Sequence, residues 1–274
     1  MAYEHPGDGS LDYLPCRYGT SKLLFRGPRR RLEGTFCALL GGSETYGKYV
    51  RTPYPALLEA RLGTTMVNFG YMNAGADVFL NEPVIVDACN KARVTVVQLL
   101  GAHNMSNRFY AVHPRRNDRF LRASTLMKTI FREVDFTEFH FTRHMLLSLK
   151  RRAPEKYALV ESELKAAWVA RMRLLLQKIV GRSVLLWVGD HHPGGASRDE
   201  LGPDPLLIDS DMGDAIRPFA TDFVRVSPSM AACMAGTAGM EFTALDALAA
   251  AQMPGPAVHE EVANALAPVL QRHL

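Results

Sequence analysis

The chain has 274 residues, 47% of them apolar and 22% charged, with a formal charge of +4. That balance excludes a mainly disordered chain, allows one large core, and is too near neutral for a general nucleic-acid binder. Cys16, Cys37, Cys89 and Cys233 show no C-x-x-C spacing, which excludes a zinc knuckle or disulfide framework and predicts reduced core thiols. The opening "MAYEHPGDGSLDYLP" carries acids and prolines where a signal peptide has a basic start and an apolar stretch. No apolar run nears the ~18 residues of a membrane span, so a cytoplasmic protein without a membrane partner is expected.

Five short β-rich runs are apolar throughout: "TFCALLGG" (35–42), "TMVNFG" (65–70), "VTVVQLLG" (94–101), "SVLLWVGD" (183–190) and "DFVRVS" (222–227). Strands without alternation are covered on both faces. Helical patterns separate them: "YPALLEARLG" (54–63) with its glycine stop, "EPVIVDACNKAR" (82–93), two or more helices over 121–149 and 154–180, "DSDMGDAIRPFA" (209–220), and "HEEVANALAPVLQRHL" (259–274). The order predicts an α/β protein: a flavodoxin-like three-layer sandwich around a mostly parallel five-stranded sheet. One domain spans 1–274, with a helical insertion at 121–180 between the third and fourth strands. Within it Val160, Leu164, Trp168, Leu175 and Ile179 fall on one helical face and are assigned to the core. The Gly/Pro-rich stretch 191–205 reads as a loop. Asp190, His191 and His192 beside it are not taken as metal ligands, and no metal or cofactor is expected.

The stretch "ALLGGSETYGKYV" (38–50) supports two chemistries. From Gly42 it is one residue short of the phosphate-cradling pattern G-x-x-x-x-G-K-[ST], with Tyr49 in the hydroxyl position. Pro53 and Pro55 would break the helix such a loop needs after Lys48. From Ser43 it is a turn offering a hydroxyl at the end of an apolar strand. Parallel sheets bind ligands beyond the carboxyl ends of their strands, which gathers Ser43, "NFGYMNAG" (68–75) and "GAHNMSN" (101–107) into one crevice. Acyl transfer needs a nucleophile, a base and oxyanion donors. Ser43 offers the first, and the backbone N–H groups of Ser43 and Gly75 with the Asn104 amide offer the last. The base lies elsewhere in the chain.

Together "LLGGSETYG", "YPALLEARLG", "VNFGYMNAG", "GAHNMSN" and a histidine opening the last helix resemble the SGNH (GDSL-type) hydrolase superfamily, whose nucleophile block reads G-D-S-x-T-x-G. The resemblance covers 35–107 and 253–271. "FRGPRR" (25–30) and "NMSNRFYAVHPRRNDRF" (104–120) are similar to an uncharacterised bacterial family within that superfamily. The resemblance implies a serine esterase or carbohydrate deacetylase with Ser43 as nucleophile, Gly75 and Asn104 as oxyanion donors, and His259 as base. Four departures stand beside it. Gly42 replaces the first-block Asp. The second block is lengthened from Gly70 to Gly75, making Asn73 a rival donor. The third reads Gly101-Ala102-His103-Asn104, leaving His103 and Asn107 as rivals. Pro256 stands where an acid usually precedes the histidine, with Glu260, Asp190 or Glu241 as substitutes. The alternative is therefore a catalytically inactive binding or assembly protein on the same fold, and a homo-oligomer is left open. "FRGPRRR" and "HPRRNDRF" place Arg29 and Arg116, with Asn73, as contacts for an anionic ester such as a phosphorylated or sulfated carbohydrate or an acyl carrier.

Overall fold

The computed structural model describes residues 11–189 and 200–274, so Asp190, His191 and His192 lie outside the described residues. From β1 (Phe36–Gly41) the chain runs through α1 (Ser43–Tyr46) and α2 (Tyr54–Leu62) to β2 (Thr65–Gly70). Then come α3 (Ala76–Leu80), α4 (Pro83–Lys91) and β3 (Val94–Gln98). An excursion follows: β4 (Tyr110–His113), β5 (Arg116–Ala123), α5 (Thr125–Ile130), α6 (Thr142–Arg152) and α7 (Pro154–Lys178). The chain returns through β6 (Ser183–Val188), α8 (Ser210–Ile216) and β7 (Asp222–Val226), and closes with α9 (Met230–Ala235), α10 (Ala247–Ala250) and α11 (Pro256–Gln271).

The sheet order β2-β1-β3-β6-β7, parallel at every pairing, is the flavodoxin-like 2-1-3-4-5 arrangement. Successive side chains of β1 divide between two cores, as the period of two requires. Phe36, Ala38 and Leu40 face α3, α4 and α7, whereas Cys37 and Leu39 face α2 and α11. The first core continues into the excursion, where Val160, Leu164, Trp168, Leu175 and Ile179 are all buried as their spacing predicts. Trp168 also donates its indole N–H to the Leu100 carbonyl at 2.7 Å, tying α7 to the end of β3. No helix among the described residues is long and apolar enough to cross a membrane.

Two boundaries differ from expectation. The excursion opens with an antiparallel hairpin, and residues 121–123, expected in a helix, complete β5. "YAVH" alternates buried and half-buried positions, a strand period that the basic turn after it obscures. The helices expected over 121–149 and 154–180 are α5, α6 and α7, with Asp135 capping a single 3-10 turn at Phe136–Glu138 between the first two. The last helix begins at Pro256 instead of His259, with Gly255 as N-cap and proline in its favoured first-turn position.

Candidate active site

The chain order reverses between β1 and β3, so a crevice opens beyond their carboxyl ends. There α1 is a single turn: Gly47, at φ 74°, ends it. Buried Arg26 donates to the Tyr46, Gly47 and Arg51 carbonyls at 3.2, 2.5 and 2.7 Å. The helix thus stops before Lys48, whose ammonium lies over the Tyr49 ring at 4.6 Å, unlike a phosphate loop.

Gln98, the last residue of β3, clamps this turn around Ser43. Its Oε1 accepts from Gly42 N at 3.0 Å and Thr45 Oγ1 at 2.6 Å, and its Nε2 donates to Glu44 Oε2 at 2.9 Å. Since Thr45 gives its proton to Gln98, the Tyr54 hydroxyl is the donor in the 2.7 Å contact between Tyr54 and Thr45. A Cβ on Gly42 would stand 2.8 Å from Glu44 Oε2 and 3.1 Å from Leu100 Cδ2. The Glu44 carboxylate therefore fills the space a first-block aspartate would need.

The second and third blocks meet Ser43 from the side. Asn73 adopts φ 55°, a left-handed conformation that asparagine tolerates, and its backbone N–H donates to Ser43 Oγ at 3.1 Å. Asn104 Nδ2 donates to the Asn73 carbonyl at 3.3 Å, while its Oδ1 accepts from Thr142 Oγ1 at 2.8 Å. That fixes the amide orientation and leaves a second Nδ2 proton. Gly75 is placed differently from its expected role: its N–H donates to Asn117 Oδ1 at 3.0 Å, as does Val78 N at 3.2 Å. The backbone N–H that meets the serine hydroxyl is that of Asn73. Gly75 instead serves close packing, since a Cβ there would lie 1.6 Å from the Asn104 carbonyl oxygen.

These groups line a cleft of about 120 Å³ with Ser43, Asn73 and Asn104 on its wall and Glu44, His103, Arg143 and Asp204 around them. Arg143 pairs with Asp204 at 3.4 Å. His259 does not line it. It is 2% exposed, its ring stacks on Tyr54 with centroids 6.0 Å apart, and its Nδ1 accepts from Tyr54 N at 3.2 Å. A neutral imidazole accepting at Nδ1 carries its proton on Nε2, the opposite tautomer from the one a base at Nε2 requires. Of the substitute acids, Glu260 pairs with Arg61, and Glu241 takes both ends of the Arg51 guanidinium at 2.6 and 2.7 Å. Asn107 shapes its own loop, accepting from Phe109 N and Tyr110 N.

The arginines separate. Arg116 opens β5 opposite His113 at the tip of the β4–β5 hairpin, exposed beside Arg115 in the turn. Burial pushes the Tyr71 phenol up, and the nearby Arg116 and Arg115 charges pull it back. This tip adjoins the serine through one relay: Asn73 Nδ2 donates to Asp118 Oδ2 at 3.3 Å. Arg29 is exposed over the Tyr18 ring at 6.0 Å and lines no part of the cleft. The sequence reading missed Gln98 and Asn117. A lone amide inside the apolar run "VTVVQLLG" is the signal for the first; Asn117, in a basic stretch, carries none.

A flavodoxin-like α/β protein with a serine hydroxyl held at its switch point is the class that this fold and cleft define. The chain belongs to the family DUF6473, described as a domain of unknown function, whose model matches residues 1–274. No curated protein matches it. Similar solved structures include a carbohydrate esterase family 2 enzyme with a carbohydrate-binding domain from Corynascus thermopiles (Myceliophthora fergusii), at 11% identity over 90% of this chain and 69% of that one, TM-score 0.46. A catalytic mutant of Axe2, an acetylxylan esterase from Geobacillus stearothermophilus, matches at 14% identity over 88% and 94%, TM-score 0.41. LAE5, an α/β hydrolase from the metagenome of Lake Arreo, Spain, matches at 16% over 85% and 93%, TM-score 0.39. Likeness this distant assigns no residue a role.

Proposed function

We propose that the protein is a serine ester hydrolase in which Ser43 attacks a short acyl ester. The observation that carries this reading is the Asn73 N–H donated to Ser43 Oγ at 3.1 Å. A donor on that oxygen favours its negative form and leaves the hydroxyl proton to point toward a base. As the carbonyl oxygen takes up charge, the Asn104 amide and the Ser43 backbone N–H are the oxyanion donors. Gly75, with its N–H on Asn117, has a packing role in this reading. The cleft beside Ser43, about 120 Å³, is small, which favours a short acyl group such as acetyl. The exposed Arg115 and Arg116 favour an anionic leaving group, such as a phosphorylated or sulfated carbohydrate.

His259 is the base implied by the superfamily resemblance, and it fills that role only if its ring releases the Tyr54 N–H and accepts at Nε2. The reading therefore rests on Ser43 and its donors. Covalent labelling by a fluorophosphonate and acetate release from short-chain esters test it, both being lost in Ser43→Ala. The Tyr54 contact at His259 and Pro256 at the start of α11 favour the second reading, a binding protein without catalysis. Neither labelling nor acetate release across neutral and anionic acetyl esters would select that one.

A further inference from the structure

We infer that His103 is the general base that takes the Ser43 proton. The inference rests on the serine-hydrolase reading and supplies the group that reading lacks. Among the described residues lining the cleft, His103 carries the one imidazole. Its ring is folded back over Gly101: a Cβ on that glycine would meet His103 Nδ1 at 2.7 Å and Cε1 at 2.8 Å. Only the missing side chain at 101 lets the imidazole lie there, so the third-block glycine makes room for the histidine two residues on. The backbone is pinned as well, because Tyr110, fully buried, donates its hydroxyl to the His103 carbonyl at 2.6 Å. The neighbouring Ala102 N–H is held by the Leu206 carbonyl at 2.9 Å. A half-buried imidazole on a fixed backbone lines the same cleft as the serine, and in this proposal it closes on the Ser43 hydroxyl when the ester binds.

The chemistry balances with water as the only co-reactant. Ser43 Oγ forms a bond to the acyl carbon while its proton passes to a His103 ring nitrogen. The imidazolium returns that proton to the departing alkoxide as the carbon–oxygen bond breaks. Water then attacks the acyl-serine with the same transfer, releasing the carboxylic acid and restoring the hydroxyl. The described charged groups that line the cleft with this histidine are Glu44 from α1, Arg143 from α6, and Asp204 from the loop before α8.

The test compares full-length wild type, Ser43→Ala, His103→Ala, His103→Gln and His259→Gln on a short-chain acetyl ester, with thermal melts to confirm folding. Expected for His103→Ala is a loss of about 10²–10⁴-fold in kcat, the effect of removing a positioned base. The acidic limb of its pH profile should vanish, and added imidazole, small enough for the vacated space, should restore part of the rate. A purely structural histidine would show no such rescue. Should His103→Ala fail to fold, His103→Gln carries the same expectation for rate and acidic limb. If both His103 variants keep the rate and the limb, or if His259→Gln removes the limb instead, the inference is overturned while the Ser43 requirement leaves the hydrolase standing. If wild type neither hydrolyses the ester nor reacts with a fluorophosphonate, the hydrolase reading fails and this inference with it.

Discussion

Replacing Gln98 by leucine tests whether one buried amide organises the nucleophile turn. Leucine keeps much of the volume but removes an acceptor from Gly42 N–H and Thr45 Oγ–H, both buried, and a donor from the half-buried Glu44. Each stranded buried donor costs about 1–3 kcal/mol, while Glu44 can turn toward water, so the net loss is about 3 kcal/mol after the gain from extra apolar surface. For a chain of this size that corresponds to a fall in melting temperature of about 6–12 °C. Thermal and urea unfolding, followed by circular dichroism, measure it. A companion Thr45→Val removes the second of the two stranded donors, so the double variant should lose less than the sum of the singles by about 1 kcal/mol or more. Gln98→Glu retains the acceptor but sets a second carboxylate against Glu44, so its penalty should grow as pH rises through the carboxylate range. A loss below about 1 kcal/mol for Gln98→Leu, or additive singles, would refute the clamp.

Gly75→Ala should be far more damaging, because its Cβ would lie 1.6 Å from a backbone oxygen of Asn104; the expected result is little folded protein in a soluble-expression and melting assay. Asn117→Ala strands the Gly75 and Val78 amides and should cost about 2–4 kcal/mol in urea unfolding. The Thr243 and Tyr49 hydroxyls hold the Asp246 carboxyl below the usual aspartate range. Its stabilisation is therefore present above that range and lost as pH falls through the lowered value. The gap in urea midpoint between wild type and Asp246→Asn should be widest at neutral pH and close under strong acid. Arg116→Ala should raise KM for anionic acetyl esters by several-fold, more so at low salt, with neutral esters little affected. Arg29→Ala should change neither, since that guanidinium lies over Tyr18 away from the cleft.

Much of the sheet was legible because central parallel strands, buried on both faces, are apolar almost throughout, as in "TFCALLGG", whereas the edge strand β7 carries the exposed Arg225. Helices with glycine stops or proline starts, such as α2 and α7, were equally plain. The hairpin was not, since its buried side depends on Tyr110, Val112 and Phe120 scattered among arginines that point outward. In the candidate site, the positions of Ser43 and Asn104 follow from strand ends, which the sequence marks. Which amide faces the serine hydroxyl depends on the path of the 71–75 turn, where Asn73 takes a positive φ and Gly75, two residues on, turns its N–H to Asn117. The environment of His259 was hidden for a related reason: its partner is the backbone of Tyr54, 205 positions away. Contacts made by main-chain atoms leave no residue type to read.

The hairpin fastens onto the 73–78 turn through Asn117 and Asp118, while its tip carries the exposed Arg115 and Arg116. Anchor and tip lie within four consecutive residues but answer to different constraints. The anchor must keep the turn that holds the serine, whereas the tip is free to vary. On the proposed hydrolase reading, a graft of 114–116 between two chains built on this plan should change which esters are accepted without disturbing the hydroxyl beneath it.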